Sequence, residues 1–313
     1  MSALKLSEML PNVKGRYDNF SDLSNKTWFG VGGPAEVLFT PANADDLSYF
    51  FKEVDETIPI MILGLGSNLL VRDGGVPGVT IKLGQKFSFI NIKESEIICG
   101  GGVSCPAVAS KAQKNEISGM EFLTGIPGSV GGAIRMNAGA YGEDIRKILI
   151  SVEVLDSKGN LLRLSADELD FQYRRCNVPK NWVFISANFR GIRKNKDLIK
   201  ERMKKIRSLR LSSQPIKSRT SGSTFVNPSN IKAWELIEKA GCRGLNFGNA
   251  SVSQHHCNFL VNNGNASAME IENLGEEIRK RVFNTSGIQL SWEIIRVGVN
   301  ISDRDSLLME GSS

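Results

Sequence analysis

Hydrophobic residues recur at helical spacing in several separate parts of the chain, with short apolar runs between them. Over residues 44–56 the apolar positions share one helical face, and the apolar run at 58–63 that follows is typical of a buried strand. This order predicts a helix followed directly by a strand. The residues predicted to face inward from the helix are Leu47, Phe50, Phe51 and Val54.

The later half of the chain alternates between strand and helix patterns. Residues 152–155 and 161–164 flank a turn sequence and predict a β-hairpin. A helix is expected through Ile231, Trp234, Ile237 and Ala240, ending at Gly241. A capping box at 267–270 predicts a helix with Ile271, Leu274, Ile278 and Val282 on one face, and residues 289–299 predict a final strand. Hairpins are as frequent as β-helix-β units, which favours an α+β fold.

Positive charge is concentrated in one segment. The chain carries a net charge of +6, and residues 193–210 contain nine Lys or Arg against two acids. Ile199, Met203 and Ile206 follow helical spacing there, so an amphipathic helix with a solvated charged face is one interpretation. Attraction of a multiply charged anion such as a nucleotide phosphate is another. A nucleic-acid surface is a third, although no aromatic residues are interleaved to support it.

Composition narrows the possible classes of protein. A length of 313 residues suggests two or three domains, and the shift near 192–215 suggests a boundary. The five cysteines show no C-x-x-C spacing, and the only histidines are His255 and His256, so neither a metal site nor a Ser-His-Asp triad is expected. The sequence shows no signal peptide or membrane span, which leads us to expect a cytoplasmic protein.

Glycine is concentrated at 30–33, at 64–78 and between Gly100 and Gly142. Loops rich in glycine can bring successive backbone N–H groups close to an anion. The loop at 64–70 follows an apolar strand but matches neither the Rossmann nor the P-loop spacing. Two such loops suit a ligand with a pyrophosphate and a flat ring system. Purely structural turns remain the alternative.

Six ordered motifs carry a resemblance that spans residues 20–300. They are NKTWFGVGGPAE, GLGSNLLVRDGG, TGIPGSVGGAIRMNAGAYG, FQYRR, SGSTFVNP and LSWEIIRVG. Together they resemble the family of UDP-N-acetylenolpyruvoylglucosamine reductases, the FAD enzymes of peptidoglycan precursor synthesis, in its shorter subtype. The resemblance implies an α+β fold with a two-lobed FAD-binding domain of the PCMH or vanillyl-alcohol-oxidase type at 20–192. Its lobes would span about 20–83 and 84–192. A C-terminal substrate-binding domain at 193–301 and a flexible tail at 302–313 would follow.

The resemblance also implies which residues form the site. NADPH would reduce FAD, and the enolpyruvyl ether of UDP-N-acetylglucosamine would then accept a hydride at C3 and a proton at C2. The residues expected to hold FAD are Gly64, Gly66, Ser67, Asn68, Leu69, Leu70, Thr124, Gly125, Pro127, Gly128, Ser129, Gly131, Gly132, Asn137, Ala138, Gly139 and Tyr141. Those expected to bind substrate are Arg210, Gln214, Asn227 and Asn258.

Three residues match the catalytic positions of the family. Arg174 would stabilise the enolate-like charge, Ser223 would donate the proton to C2, and Glu293 would assist Arg174 as the protonated acid. Without the resemblance, the same residues would be interpreted as a surface cation, a turn residue and a strand carboxylate. Gly30 and Cys176 depart from the family pattern, but neither is a catalytic position.

The resemblance implies a small-molecule sugar nucleotide as partner, and we expect a monomer that binds neither nucleic acid nor membrane. An oxidase or dehydrogenase of small alcohols on the same FAD fold is an alternative enzyme. A basic nucleotide- or nucleic-acid-binding module without catalysis is the alternative from another class.

Overall fold

The computed structural model describes residues 3–303, with side chains from residue 6 onward. The predicted tail at 302–313 therefore lies outside the described residues from position 304. The described chain forms three units in sequence order, which we call the first lobe, the second lobe and the C-terminal unit. Each has its own cluster of buried hydrophobic side chains.

The first lobe is built on a sheet that mixes parallel and antiparallel pairs. It contains α1 (Ala3–Met9), β1 (Arg16–Asp22), β2 (Pro34–Thr40), α2 (Ala44–Glu53), β3 (Ile60–Leu63), β4 (Leu69–Val71) and β5 (Val76–Lys82). The sheet order is β1-β2-β5-β3, with β5 parallel to both neighbours. Asn43 caps α2 by accepting the Asp46 N–H at 2.9 Å. The predicted helix and strand are confirmed, although Val54 is already extended and the helix ends at Glu53.

The second lobe is built on a wholly antiparallel sheet. It contains β6 (Ile90–Lys93), β7 (Glu96–Gly100), α3 (Cys105–Lys114), β8 (Ile117–Ser118), α4 (Val130–Arg135), β9 (Gly139–Ala140), β10 (Glu143–Asp144), β11 (Leu149–Leu155), β12 (Leu161–Ser165), β13 (Val183–Arg190) and β14 (Ile192–Arg193). The sheet order is β12-β11-β13-β7-β6. Leu155 pairs with Leu161, so the predicted hairpin is confirmed.

The basic segment forms α5 (Lys196–Ser213), so the predicted amphipathic helix is confirmed. Its inward residues Ile199, Met203 and Ile206 are buried. Ile199 and Met203 belong to the hydrophobic core of the second lobe, so the predicted boundary at 193 would separate α5 from the core it packs on. We propose that the C-terminal domain begins after Ser213.

The C-terminal unit packs two helices on a small antiparallel sheet. It contains α6 (Ala233–Lys239), β15 (Asn246–Phe247), β16 (Ala250–Val252), β17 (Leu260–Asn262), α7 (Ala268–Ser286) and β18 (Ile295–Val297). Ser267 and Glu270 form the predicted capping box at the start of α7. The four residues predicted on its inner face are fully buried, which stabilises the fold by about 1.5–3 kcal/mol each.

Two expectations in this unit need correction. Trp234 is 41% exposed, because α6 begins at Ala233 and turns Leu236 and Ile237 inward instead. The strand expected over 289–299 is only three residues long, because residues 291–294 first run beside residues 224–226. After that crossing, β18 pairs in parallel with β4 of the first lobe.

Candidate active site

Segments from all three units meet where the loop after β3 begins. The Ser67 hydroxyl donates to the carbonyl oxygen of Pro127 at 3.1 Å, which joins the first two lobes. The Asn68 Nδ2 donates to the Glu293 carbonyl oxygen at 3.0 Å, and the Ser221 hydroxyl donates to the Leu69 carbonyl oxygen at 3.2 Å. Both bonds tie the C-terminal unit to the same loop. The two predicted cofactor loops and the predicted catalytic segments therefore meet at one place.

The first glycine-rich loop is shaped by its contact with residues 26–28. Gly66 has a φ of +65°, and a Cβ there would lie 2.1 Å from the Lys26 carbonyl oxygen. The Trp28 N–H donates to the Gly66 carbonyl oxygen at 3.0 Å. A side chain at position 66 is thus excluded both by the backbone conformation and by the neighbouring chain.

The second glycine-rich loop lies against the first with no room for additional side-chain atoms. A Cβ on Gly64 would stand 2.8 Å from the Ser129 hydroxyl, and one on Gly128 would stand 2.8 Å from the Ser67 hydroxyl. Ser129 caps α4 by accepting the Gly132 N–H at 3.3 Å. The Thr124 hydroxyl is buried without a protein partner. Bare backbone and an unpaired hydroxyl fit a phosphate-bearing cofactor such as FAD.

The other residues predicted to bind FAD differ in which of their atoms could contact it. Leu70 and Ala138 are buried in hydrophobic clusters, so only their backbone could contact a ligand. Gly131 donates its N–H to the Gly101 carbonyl oxygen at 2.9 Å, and Gly139 lies in β9. A Cβ on Gly125 would stand 2.7 Å from the Tyr141 ring, so this glycine makes room for the aromatic side chain.

Asn137 connects the second loop to the segment that carries Arg174. Its Nδ2 donates to the Gln172 carbonyl oxygen at 3.2 Å, and its Oδ1 accepts the Arg146 N–H at 3.1 Å. Asn137, Tyr141 and Arg174 all adopt positive φ, at 42°, 57° and 57°. Non-glycine residues persist in this region only where the surroundings impose it, and such residues are concentrated at functional sites.

Arg174 of the second lobe and Glu293 of the C-terminal unit form an ion pair. The Arg174 Nε donates to Glu293 Oε1 at 2.8 Å, and the two side chains are only 25% and 12% exposed. The guanidinium also lies over the Tyr173 ring. Burial raises the pKa of Glu293 and outweighs the opposing effect of Arg174. The site therefore combines a fixed cation with a carboxyl group that protonates more readily than usual.

Ser223 is held next to this pair by backbone hydrogen bonds. The Glu293 N–H donates to the Thr224 carbonyl oxygen at 2.8 Å, and the Val226 N–H donates to the Ser291 carbonyl oxygen at 2.9 Å. Gly222, with a φ of +85°, precedes Ser223. The half-buried Ser223 therefore begins a short extended segment that runs alongside Glu293.

The residues predicted to bind substrate separate into two groups. The Arg210 Nε donates to Gln214 Oε1 at 3.2 Å, and Arg210 opposes the burial-raised pKa of Tyr141, so these three lie together near the end of α5. Asn227 uses its Oδ1 to accept the Ala233 N–H at 3.0 Å, which supports the start of α6. Asn258, the fourth residue predicted to bind substrate, has both ends of its buried amide bonded to the Phe225 backbone.

Gly30 and Cys176, the two residues that depart from the family pattern, have different surroundings. The Arg219 side chain lies over Gly30, with its Cδ 3.3 Å from where a Cβ would stand. Cys176 is buried in the second-lobe core, and burial raises the pKa of its thiol. Among the described residues, neither Gly30 nor Cys176 forms a hydrogen bond to Arg174 or Glu293.

Two hydrogen bonds that support this site, one from Asn68 and one from Ser221, were not indicated by the sequence. Asn68 had been assigned only to the cofactor loop, yet it bonds to the backbone of Glu293. Ser221 had no assignment, yet it holds the Ser223 segment against Leu69. These contacts join residues more than 150 positions apart, so no local pattern could indicate them.

Within residues 3–303, no helix is long and apolar enough to cross a bilayer, and no group of three potential metal ligands comes together. All five cysteines are buried free thiols.

The two-lobed fold, the interlocked glycine loops and the arginine–carboxylate pair are those of a flavin-binding enzyme with an added C-terminal domain. Residues 35–165 match the model of an FAD-binding domain, and residues 214–297 match that of the UDP-N-acetylenolpyruvoylglucosamine reductase C-terminal domain. The chain belongs to the UDP-N-acetylenolpyruvoylglucosamine reductase family.

Relatives in several bacteria support this membership. The reductase of Paramagnetospirillum magneticum is 49% identical over 292 residues, which cover 93% of this chain and 95% of the relative. That of Rickettsia conorii is 46% identical over 290 residues, covering 93% and 98%. The crystal structure of the enzyme from Thermus caldophilus superposes with a TM-score of 0.80 at 31% identity, covering 92% of this chain and all of that one.

Proposed function

We propose that this protein reduces the enolpyruvyl group of UDP-N-acetylglucosamine enolpyruvate to give UDP-N-acetylmuramate, with NADPH as the source of electrons. The observation that carries the proposal is the ion pair of Arg174 and Glu293 beside Ser223, at the edge of the glycine-lined loops. A cation, a carboxyl group and a hydroxyl are the groups that reduction of an enolpyruvyl ether requires.

The two glycine loops would hold FAD. Their exposed backbone would face its pyrophosphate, and the unpaired Thr124 hydroxyl would offer a further hydrogen bond. Held there and reduced by NADPH, FAD would supply the hydride for C3 of the enolpyruvyl double bond.

Arg174 would act on the charge that develops at C2 and the adjoining carboxylate. Its guanidinium is fixed by Glu293 and by the Tyr173 ring, so it needs little rearrangement to stabilise that charge. Glu293, when protonated, would donate a hydrogen bond to the same charge. Because burial raises the pKa of Glu293, its protonated form is more populated than that of an ordinary glutamate.

Ser223 would deliver the proton to C2. A serine hydroxyl is a weak acid, so its contribution depends on position and on the charge stabilised by Arg174 and Glu293. Loss of the proton leaves an alkoxide at Ser223, which solvent reprotonates after product formation. The sugar nucleotide would be held by Arg210 and Gln214 at the end of α5 and by the free Nδ2 of Asn227.

The test is a visible absorbance measurement under anaerobic conditions. Purified protein should be yellow, lose its flavin absorbance with NADPH, and regain it when the enolpyruvyl sugar nucleotide is added. UDP-N-acetylglucosamine, which lacks the double bond, is the matched control and should restore nothing. Bleaching without recovery would exclude the proposed substrate and favour another reductase or oxidase of this fold. A colourless protein that takes up no FAD would favour a binding module without catalysis.

The proposed reaction makes a precursor of peptidoglycan, so we retain the expectations of a cytoplasmic monomer that binds neither nucleic acid nor membrane. Size-exclusion chromatography with light scattering checks the oligomeric state.

A further inference from the structure

The side-chain amide of Asn258 forms two hydrogen bonds to a single buried residue of the C-terminal unit. Asn258 is 3% exposed. Its Nδ2 donates to the Phe225 carbonyl oxygen at 2.8 Å, and its Oδ1 accepts the Phe225 N–H at 2.9 Å. A side chain that pairs with both polar groups of one buried residue fixes that residue's backbone as a neighbouring strand would.

The backbone of Asn258 reinforces the same contact. Its carbonyl oxygen accepts the Thr224 N–H at 2.7 Å, while the Thr224 carbonyl oxygen accepts the Glu293 N–H at 2.8 Å. Residues 224–225 are therefore held between Asn258 on one side and Glu293 on the other. Thr224 follows Ser223 directly, so the bonds that fix residues 224–225 also restrict where the Ser223 side chain can lie.

The imidazole of His256 bonds the backbone of Asn258. Its Nδ1 accepts the Asn258 N–H at 3.2 Å, and its ring packs edge-on against Phe259 with 4.8 Å between centroids. An Nδ1 that accepts must be unprotonated, so the imidazole carries its hydrogen on Nε2. Burial lowers the pKa of His256, in keeping with this neutral form.

We propose that Asn258 is a positioning residue that aims the Ser223 hydroxyl at the carbon to be protonated. This inference rests on the proposed function, and it replaces the expectation that Asn258 binds substrate directly. It also predicts which kinetic quantity changes. A positioning residue alters the rate of proton delivery, whereas a ligand to the sugar nucleotide alters its binding.

The test is Asn258→Leu, which keeps a similar volume but can neither donate nor accept. We expect NADPH to reduce its flavin at the wild-type rate. Reoxidation by the enolpyruvyl sugar nucleotide should slow by roughly 10- to 100-fold, with KM changed by less than about threefold. Asn258→Ser, measured in the same way, serves if the leucine variant retains no FAD.

Asn262→Leu is the matched control. Asn262, on β17, is another buried asparagine of the C-terminal unit, and its side chain bonds Phe29, Gly264 and Ala266 instead of Phe225. Its loss should lower the melting temperature while leaving the ratio of the two half-reaction rates unchanged. The same change in that ratio for Asn262→Leu would show that any damage to the C-terminal unit slows reoxidation, and the inference would be wrong.

A second measurement isolates the route through Ser223. In a Ser223→Ala background, Asn258→Leu should slow reoxidation no further, because the group it positions is gone. An independent, multiplicative loss would contradict the inference, as would a raised KM with kcat preserved. Failure of wild-type protein to be reoxidised would instead overturn the proposed function, so the two failures are distinguishable.

Discussion

The guanidinium of Arg174 and the carboxyl group of Glu293 lie 2.8 Å apart although 119 positions separate them in the chain. Arg174 comes from the second lobe and Glu293 from the C-terminal unit. Neither unit alone can assemble the pair, so the ion pair exists only when the two units are docked.

Ser223→Ala should separate the two half-reactions. The variant should retain FAD and be reduced by NADPH at the wild-type rate, because no proton to C2 is needed in that step. Turnover should fall by roughly 10²- to 10⁴-fold. Stopped-flow absorbance follows both steps.

Ser286→Ala on α7 is the control for that experiment. It loses the hydrogen bond that its hydroxyl donates to the Val282 carbonyl oxygen, worth about 1 kcal/mol of stability, but no proton donor. If Ser223→Ala instead blocked flavin reduction, Ser223 would belong to NADPH or cofactor binding.

Glu293 should give the second half-reaction a pH dependence. Because burial raises the pKa of Glu293, the protonated form persists above the ordinary range near 4.5 and is lost as pH rises through the raised value. The reoxidation rate should therefore fall with rising pH in the wild type. Glu293→Gln, which still donates a hydrogen bond, should abolish this decline, and Glu293→Ala should be slow throughout. A wild-type reoxidation rate that instead rises with increasing pH would show that the ionised carboxylate is the active form.

Gly66→Ala should cost the protein its cofactor. The substitution places a Cβ 2.1 Å from the Lys26 carbonyl oxygen and adds about 1–2 kcal/mol for a left-handed backbone. Gly241→Ala provides the control, because Gly241 has a nearly equal φ of +68° but open space around it. Flavin content per protein, read from absorbance, should fall for Gly66→Ala alone. Equal loss in both variants would attribute the effect to backbone strain.

Glu272→Gln should weaken the junction between the first lobe and α7. Glu272 binds Arg72 through two bonds of 2.9 Å and Arg296 through a third of 2.9 Å. We expect the free energy of unfolding to drop by about 1–3 kcal/mol. Glu277→Gln on the same helix, which breaks an exposed pair with Arg281, should cost less than about 0.5 kcal/mol.

Glu272→Gln should also change how the stability of the protein depends on pH. The hydrogen bonds from Arg72 hold the pKa of Glu272 below its ordinary value of 4.5. Its stabilising contribution is therefore complete above that value and is lost as pH falls through the lowered one. Denaturant unfolding at several acidic pH values should show a shallower decline for Glu272→Gln than for wild type. Parallel declines would contradict this assignment.

Local patterns in the sequence predicted helices α2, α5, α6 and α7 and strands β3, β11, β12 and β18, whereas the two-lobed fold was implied by the family resemblance. The face of α7 and its capping box depend on spacing within a few residues, and both are confirmed. Trp234 was misplaced because α6 has only seven residues, too few for periodicity to decide between neighbouring registers.

Long-range pairings were beyond the reach of local patterns. The last strand was predicted too long because hydrophobicity does not show that residues 291–294 run beside 224–226 before β18 begins. The motifs that resemble the family nominated Arg174, Ser223 and Glu293 individually, and the roles assigned to them stay predictions. The supporting contacts of Asn68 and Asn258 depend on partners brought together by the tertiary fold.

The parallel pairing of β4 with β18 has a consequence for biosynthesis. Ile295–Val297 is synthesised more than two hundred residues after its partner Leu69–Val71. Until then, the strand that ends the first glycine loop has an unpaired edge open to other chains. The first glycine loop is therefore fully supported only after β18 has been made and has paired with β4.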